Sequence, residues 1–128
     1  MRKVKNVGKN NKRKGNNFEL QVIQALKEIG YKGCVSSRSI NKLADANKID
    51  IIDTNNELPI NIQTKNTLNT PDFFTIESQC TDKTKPFVII WKKTGKQGHN
   101  SPGTVAMVPI KYFYKLLELC KSLLKNAN

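Results

Sequence analysis

Apolar positions along this chain follow two periods. From Asn17 to Ile29, Phe18, Val22, Ala25, Leu26 and Ile29 recur at steps of three and four, which predicts a helix with one buried stripe. Asn16 or Asn17 is available as its cap, and Gly30 follows its end. The last segment, Ile110 to Lys125, has the same period, with Phe113, Leu116, Leu117, Cys120, Leu123 and Leu124 on its apolar face. Between these helices the period is two. Leu58 to Lys65 alternates: Ile60, Ile62 and Thr64 face one way, and Asn61, Gln63 and Lys65 face the other. Lys48 to Thr54, carrying Ile49, Ile51 and Ile52, reads as the strand before it, and Asn55-Asn56 supplies the turn of a hairpin. Thr70-Pro71-Asp72 predicts a helix start, with the helix reaching Cys80. The continuous apolar run Phe87 to Trp91 reads as a central strand, and Thr104 to Val108 as another after the Gly95–Gly103 loop. Tyr31 to Ser39 is short and β-leaning, with a loop from Ile40 to Asn47 behind it.

The order is helix, two or three strands, helix, two strands, helix. Without strict alternation of strand and helix, it predicts an α/β fold: a single mixed β-sheet flanked by helices. A chain of 128 residues is one domain in size. Residues 1–15 stand apart from the rest. They hold Arg2, Lys3, Lys5, Lys9, Lys12, Arg13 and Lys14 among Asn and Gly, with no acid and almost nothing to bury. They are expected to form a flexible basic arm, leaving 16–128 as the folded domain.

Composition places the charge on a globular body. With 38% hydrophobic and 25% charged residues the chain is near globular averages, yet its net charge is +12. A polyanion, most often nucleic acid, is the expected partner. No apolar run approaches the roughly 18 residues of a membrane span. The basic start has no apolar centre, so it does not read as a secretory signal, and a cytoplasmic location is expected. Cys34, Cys80 and Cys120 are odd in number, far apart, and lack zinc spacing with His99; buried reduced thiols are the expectation.

Three places break the apolar pattern. Glu19 lies on the helical stripe, three, four and seven residues before Val22, Ile23 and Leu26. A carboxylate there needs a cation or metal as partner, unless it faces water in the first turn and favours the helix dipole. Asp50 stands among isoleucines, where either a site or solvent must meet it; Asp53, the competing acid, suits a turn. Gln63 and Lys65 share a strand face next to Asp50 across the expected hairpin, as a solvated face or as part of a site.

Taken together, Glu19, Asp50 and Gln63-x-Lys65 on helix, strand and strand resemble the PD-(D/E)xK nuclease superfamily, and within it the small archaeal-type and phage-type Holliday junction resolvases. The likeness covers about residues 12–92: Lys12-Arg13-Lys14-Gly15, Phe18-Glu19, Gly30-Tyr31, Ser36-Ser37-Arg38, Lys48-Ile49-Asp50-Ile51-Ile52 and Ile62-Gln63-Thr64-Lys65. It implies a restriction-endonuclease-like core and a metal-dependent endonuclease acting on four-way or branched DNA. The alternatives are a restriction- or repair-type nuclease on linear duplex, and a non-catalytic nucleic-acid-binding protein.

By that resemblance Glu19, Asp50, Gln63 and Lys65 form the catalytic group. Glu19, Asp50, Gln63 and the Thr64 carbonyl would hold Mg²⁺, with Mn²⁺ as a substitute. Gln63 departs from the commoner Glu or Asp, keeping an oxygen ligand and losing a charge. Ser36, Ser37 and Arg38 would lie near the scissile phosphate, with either serine as the match and Arg38 suited to bidentate pairing. The arm would add salt-dependent backbone contacts, extended by Lys92, Lys93 and Lys96. A junction substrate implies a twofold homodimer, in nucleoid-associated or, for a virus, host cytoplasmic surroundings. The closing helix and Phe73-Phe74 are candidate dimer surfaces, and core packing accounts for either equally well.

Overall fold

The computed structural model describes residues 7–40, 44 and 46–127. Its elements are α1 (Val7–Ile29), β1 (Cys34–Ser36), α2 (Ser37–Ile40), β2 (Ile51–Asp53), β3 (Asn61–Thr67), α3 (Phe73–Ser78), β4 (Phe87–Lys93), β5 (Gly103–Met107) and α4 (Ile110–Ala127). The five strands form one mixed sheet in the order β1-β2-β3-β4-β5. Among the described strands only β3 and β4 run parallel, from Asn61↔Phe87 to Thr67↔Lys93; the other neighbours are antiparallel. Parallel strands need a long crossover, and the segment carrying α3 provides it. The expected α/β fold with a single mixed sheet is what the chain adopts. Among the described residues, no helix is long and apolar enough to cross a membrane.

The period-two alternation of β3 divides the core. Ile62, fully buried, meets Phe18, Val22 and Ile23 of α1 together with Cys34, Ile51 and Leu58. On the opposite face Ala44, Ile49, Cys80, Phe87 and Ile89 cluster, with Phe73, Ile76, Trp91 and Met107 packed around them. Truncating one such buried isoleucine to alanine costs about 2–5 kcal/mol, so these two clusters fix the sheet on which the polar residues stand.

Several boundaries differ from the sequence reading. The first helix begins at Val7, ten residues before Asn17, so residues 7–15 of the expected flexible arm are helical; Arg2, Lys3 and Lys5 lie outside the described residues. Extending a formed helix fixes one residue per added hydrogen bond, whereas starting one fixes several, and Phe18 to Ile29 supplies the packed nucleus. The extension is tied down at its end, where the Lys14 ammonium donates to Thr94 Oγ1 at 3.0 Å. The strand expected from Lys48 starts at Ile51, because Lys48 takes a left-handed φ of 63° that no strand accommodates. Asp72, and not Thr70, caps α3: its carboxylate accepts from Thr75 N at 3.3 Å and Thr75 Oγ1 at 2.8 Å. Cys34 and Cys80 are buried as expected, but Cys120 is exposed, as α4 carries no buried residue.

Candidate active site

The site is organised by the early end of β2. Among the described residues β2 pairs with β3 only at Ile51↔Ile62, while β3 runs on to Thr67. Asp50 stands at that step. Its N–H donates to the Ile62 carbonyl at 2.8 Å, continuing the ladder by one bond. Its carboxylate then takes over from the missing strand: Oδ2 accepts from Thr64 N at 2.8 Å and from Thr64 Oγ1 at 3.1 Å. In an extended strand the N–H and C=O of one residue point to the same edge, so the Thr64 carbonyl opens on the side of Asp50.

Glu19 and Lys65 approach Asp50 from the two faces of the sheet. Glu19 belongs to α1, which covers the Ile62 face. Lys65 lies with Gln63 on the other, as their register with Trp91 and Ile89 requires. Both are close enough to act on the Asp50 charge, Glu19 raising its pKa and Lys65 lowering it. Burial is the largest influence and pushes the Asp50 carboxyl up to about 6, against the hydrogen bonds from Thr64. An aspartate this reluctant to ionise marks a pocket short of positive charge.

Gln63 gives the same message by a different route. It is 7% exposed, and its Oε1 is a buried acceptor with no donor. Such an oxygen ordinarily costs about 1–3 kcal/mol unless a proton or a cation meets it. Among the described residues no three His, Cys, Asp or Glu side chains come together. The ligands that the resemblance implies are two carboxylates, an amide oxygen and a backbone carbonyl. All are hard oxygen ligands, and the orphaned Gln63 Oε1 makes them a fit for Mg²⁺ or Mn²⁺.

Cations flank this group on both sides of α1. On one side the Arg38 guanidinium donates to Glu19 Oε1 at 3.1 Å, to Asn16 Oδ1 at 2.5 Å and to Ser36 Oγ at 3.3 Å. The Glu19 side chain is 6% exposed and that of Arg38 39%, so a buried carboxylate is paired with a cation that solvent still reaches. On the other side a cleft of about 330 Å³ is lined by Arg13, Lys14 and Gln21 of α1, Asn66 of β3 and Lys92 of β4. Lys12 and Arg13 are exposed beside it, and Lys9 lies on the same helix.

The structure thus brings Glu19, Asp50, Thr64 and Lys65 around one strand edge, with Gln63 preceding the threonine that holds Asp50. It also separates the two serines. Ser37 is fully buried and donates to the Ile49 carbonyl at 2.5 Å, so it braces the chain just before Asp50 and does not face a DNA surface. Ser36 stands with Arg38. Asp53, the alternative acid, is committed to a turn, accepting from Asn55 N, Glu57 N and Leu58 N at 2.9 Å each, which holds its pKa down despite some desolvation. Sequence reasoning missed the pairing of Arg38 with Glu19 and the role of Asn16, which looked only like a helix cap. The one available signal was a buried carboxylate without a helical neighbour of opposite charge.

In comparison with known proteins, no family model matches the chain, and no curated protein or solved structure matches it significantly.

Proposed function

We propose that this chain is a metal-dependent endodeoxyribonuclease, acting on four-way or otherwise branched DNA. The observation that carries the reading is the Gln63 Oε1 acceptor, buried and without a donor, one residue before the threonine that holds Asp50, whose burial raises its pKa to about 6. The cost of burying the Asp50 charge would be offset by a cation at this strand edge. Glu19, Asp50, Gln63 Oε1 and the Thr64 carbonyl would hold it. A bound Mg²⁺ or Mn²⁺ supplies charge neutralisation at the scissile phosphate and a more acidic water.

The chain's own residues do the rest. Lys65, half-buried on the site face of β3, presents an ammonium that steadies phosphate oxygens or orients the attacking water. Arg38 offers a planar fork for bidentate phosphate pairing. Lys14, Lys92 and Arg13 bind the backbone on the far side of α1, without reading bases. Cutting both strands of a symmetric junction requires two sites, hence two copies of the chain. The enzyme would then work where DNA is, in nucleoid-associated or viral-host cytoplasm.

The neutral Gln63 favours a second reading, a nucleic-acid-binding protein of this fold that has lost catalysis, since two carboxylates hold Mg²⁺ more weakly than three. One assay separates the readings. The protein is incubated with Mg²⁺ or Mn²⁺ and labelled four-way junction or linear duplex of equal sequence, alongside Asp50→Asn and Lys65→Ala. Junction cleavage lost in both variants, with binding retained, is the expected result. Equal cutting of both substrates removes the junction preference. Tight binding with no cutting under either metal leaves the binding protein.

A further inference from the structure

Arg38 is fixed at its root and loose at its tip. Ser37, one residue earlier, donates its N–H to the Asp50 carbonyl at 2.8 Å and its hydroxyl to the Ile49 carbonyl at 2.5 Å. Those two bonds lock the backbone next to Arg38 onto the backbone that carries Asp50. The Arg38 guanidinium, by contrast, lies within reach of solvent and is held by hydrogen bonds to Asn16, Ser36 and Glu19. Breaking them frees the tip without moving the chain.

Glu19 is what holds Arg38 there. A carboxylate as deeply buried as this one needs a cation, and among the described residues Arg38 is the one paired with it. Glu19 is also a carboxylate of the proposed metal site, so two cations have a claim on the same group. A divalent ion beside Glu19 neutralises the charge that attracts Arg38 and repels the guanidinium. Once released, the guanidinium remains rooted beside Asp50, and its planar fork of donors matches a phosphate.

We infer that Arg38 is an exchange residue: without metal it stands in for the cation on Glu19, and with metal it passes to a phosphate of the bound DNA. The exchange rests on the nuclease reading. Its consequence is coupling, because metal and DNA each favour the released arginine and so tighten one another. Ordinary coupling of this kind is worth about tenfold in affinity. The chain without DNA then holds its metal weakly, and the complete site assembles on the substrate.

The test reads binding and not cleavage. Mn²⁺ is titrated into the full chain without DNA, and the free ion is followed by electron paramagnetic resonance. Arg38→Ala removes the competitor and is expected to bind Mn²⁺ about tenfold tighter than wild type. Asn16→Ala cuts one anchor of the guanidinium and leaves the ion pair, so it is expected to tighten Mn²⁺ binding about threefold. An arginine that merely orients Glu19 would make both variants bind more weakly. The second arm measures binding of a labelled four-way junction in chelator by fluorescence anisotropy. Glu19→Gln releases Arg38 and is expected to tighten that binding about tenfold, a gain largely lost when Arg38→Ala is added. Loss of a negative charge by itself would tighten both backgrounds equally. Circular dichroism checks the fold of each variant. Equal or weaker Mn²⁺ binding in Arg38→Ala and Asn16→Ala, or equal gains from Glu19→Gln in the two backgrounds, overturns the exchange. Failure of the wild type and both variants to bind Mn²⁺ at all overturns the metal site beneath it.

Discussion

Replacing Asp50 with asparagine should make the protein more stable at neutral pH while destroying its proposed use. The folded-state pKa of about 6 lies above the ordinary aspartate value near 3.9, so the folded protein holds this proton more tightly than the unfolded chain. Below about pH 4 the group is protonated in both states and favours neither. As pH rises from about 4 to about 6, the unfolded chain has given up its proton while the folded one still holds it, so stability falls over that window. A shift of about two units corresponds to about 3 kcal/mol at 1.36 kcal/mol per unit, lost in full by about pH 8. Asparagine keeps an oxygen to accept from Thr64 N and Oγ1 but carries no charge. In chelator, Asp50→Asn is therefore expected to melt roughly 10 °C higher than wild type at about pH 8 and to match it at about pH 4. Mg²⁺ at a hundredfold excess over Kd should close the gap, raising the wild type by about 3 kcal/mol and leaving the variant nearly unmoved. Thermal and denaturant unfolding at the two pH values, with and without Mg²⁺, measures each quantity. A variant less stable than wild type at pH 8 in chelator would sink the electrostatic argument, and equal Mg²⁺ stabilisation of both proteins would sink the cation site.

Three further outcomes follow from the same geometry. Gln63→Glu buries a further carboxylate on β3, so under the proposed metal site it should tighten Mg²⁺ binding about tenfold in calorimetry while lowering metal-free stability by about 1–2 kcal/mol. Arg38→Ala leaves the Glu19 carboxylate buried and unpaired, costing about 2 kcal/mol in chelator after allowance for the exposed arginine; Mg²⁺ should restore that loss, and cleavage should still slow because a phosphate partner is gone. Arg13→Ala and Lys92→Ala, on the basic cleft, should each reduce the dependence of log K on log salt by about 0.9 with no change in Mg²⁺ affinity.

The sheet was legible in the sequence because its signals are local. Ile60, Ile62 and Thr64 alternate with Asn61, Gln63 and Lys65, and that alternation alone assigns the two faces that the clusters around Ile62 and Ile89 occupy. Glu19 and Asp50 stood out for the opposite reason, as charges placed where burial would be costly, and Lys65 by sharing a strand face with Gln63. What remained hidden depends on contacts distant in the chain. The helical state of residues 7–15 draws on packing further along the helix and on Lys14 meeting Thr94, eighty residues away. The choice between Ser36 and Ser37 turns on a carbonyl twelve residues from Ser37, that of Ile49. The bareness of α4 was beyond reach, since a heptad-like stripe reads the same whether its own domain or another copy covers it.

The step where β2 begins has a consequence for how this protein avoids sticking to others. A strand that outruns its neighbour presents free N–H and C=O groups, and an edge of that kind recruits stray strands and seeds aggregates. Here the Asp50 carboxylate occupies the first of those positions, at Thr64, and Lys65 places a charge next to it. Any peptide adding to β3 would have to displace the one and bury the other. Neutralising both residues should therefore leave an edge more prone to assemble, so charges placed at one strand edge also keep polypeptide chains off it.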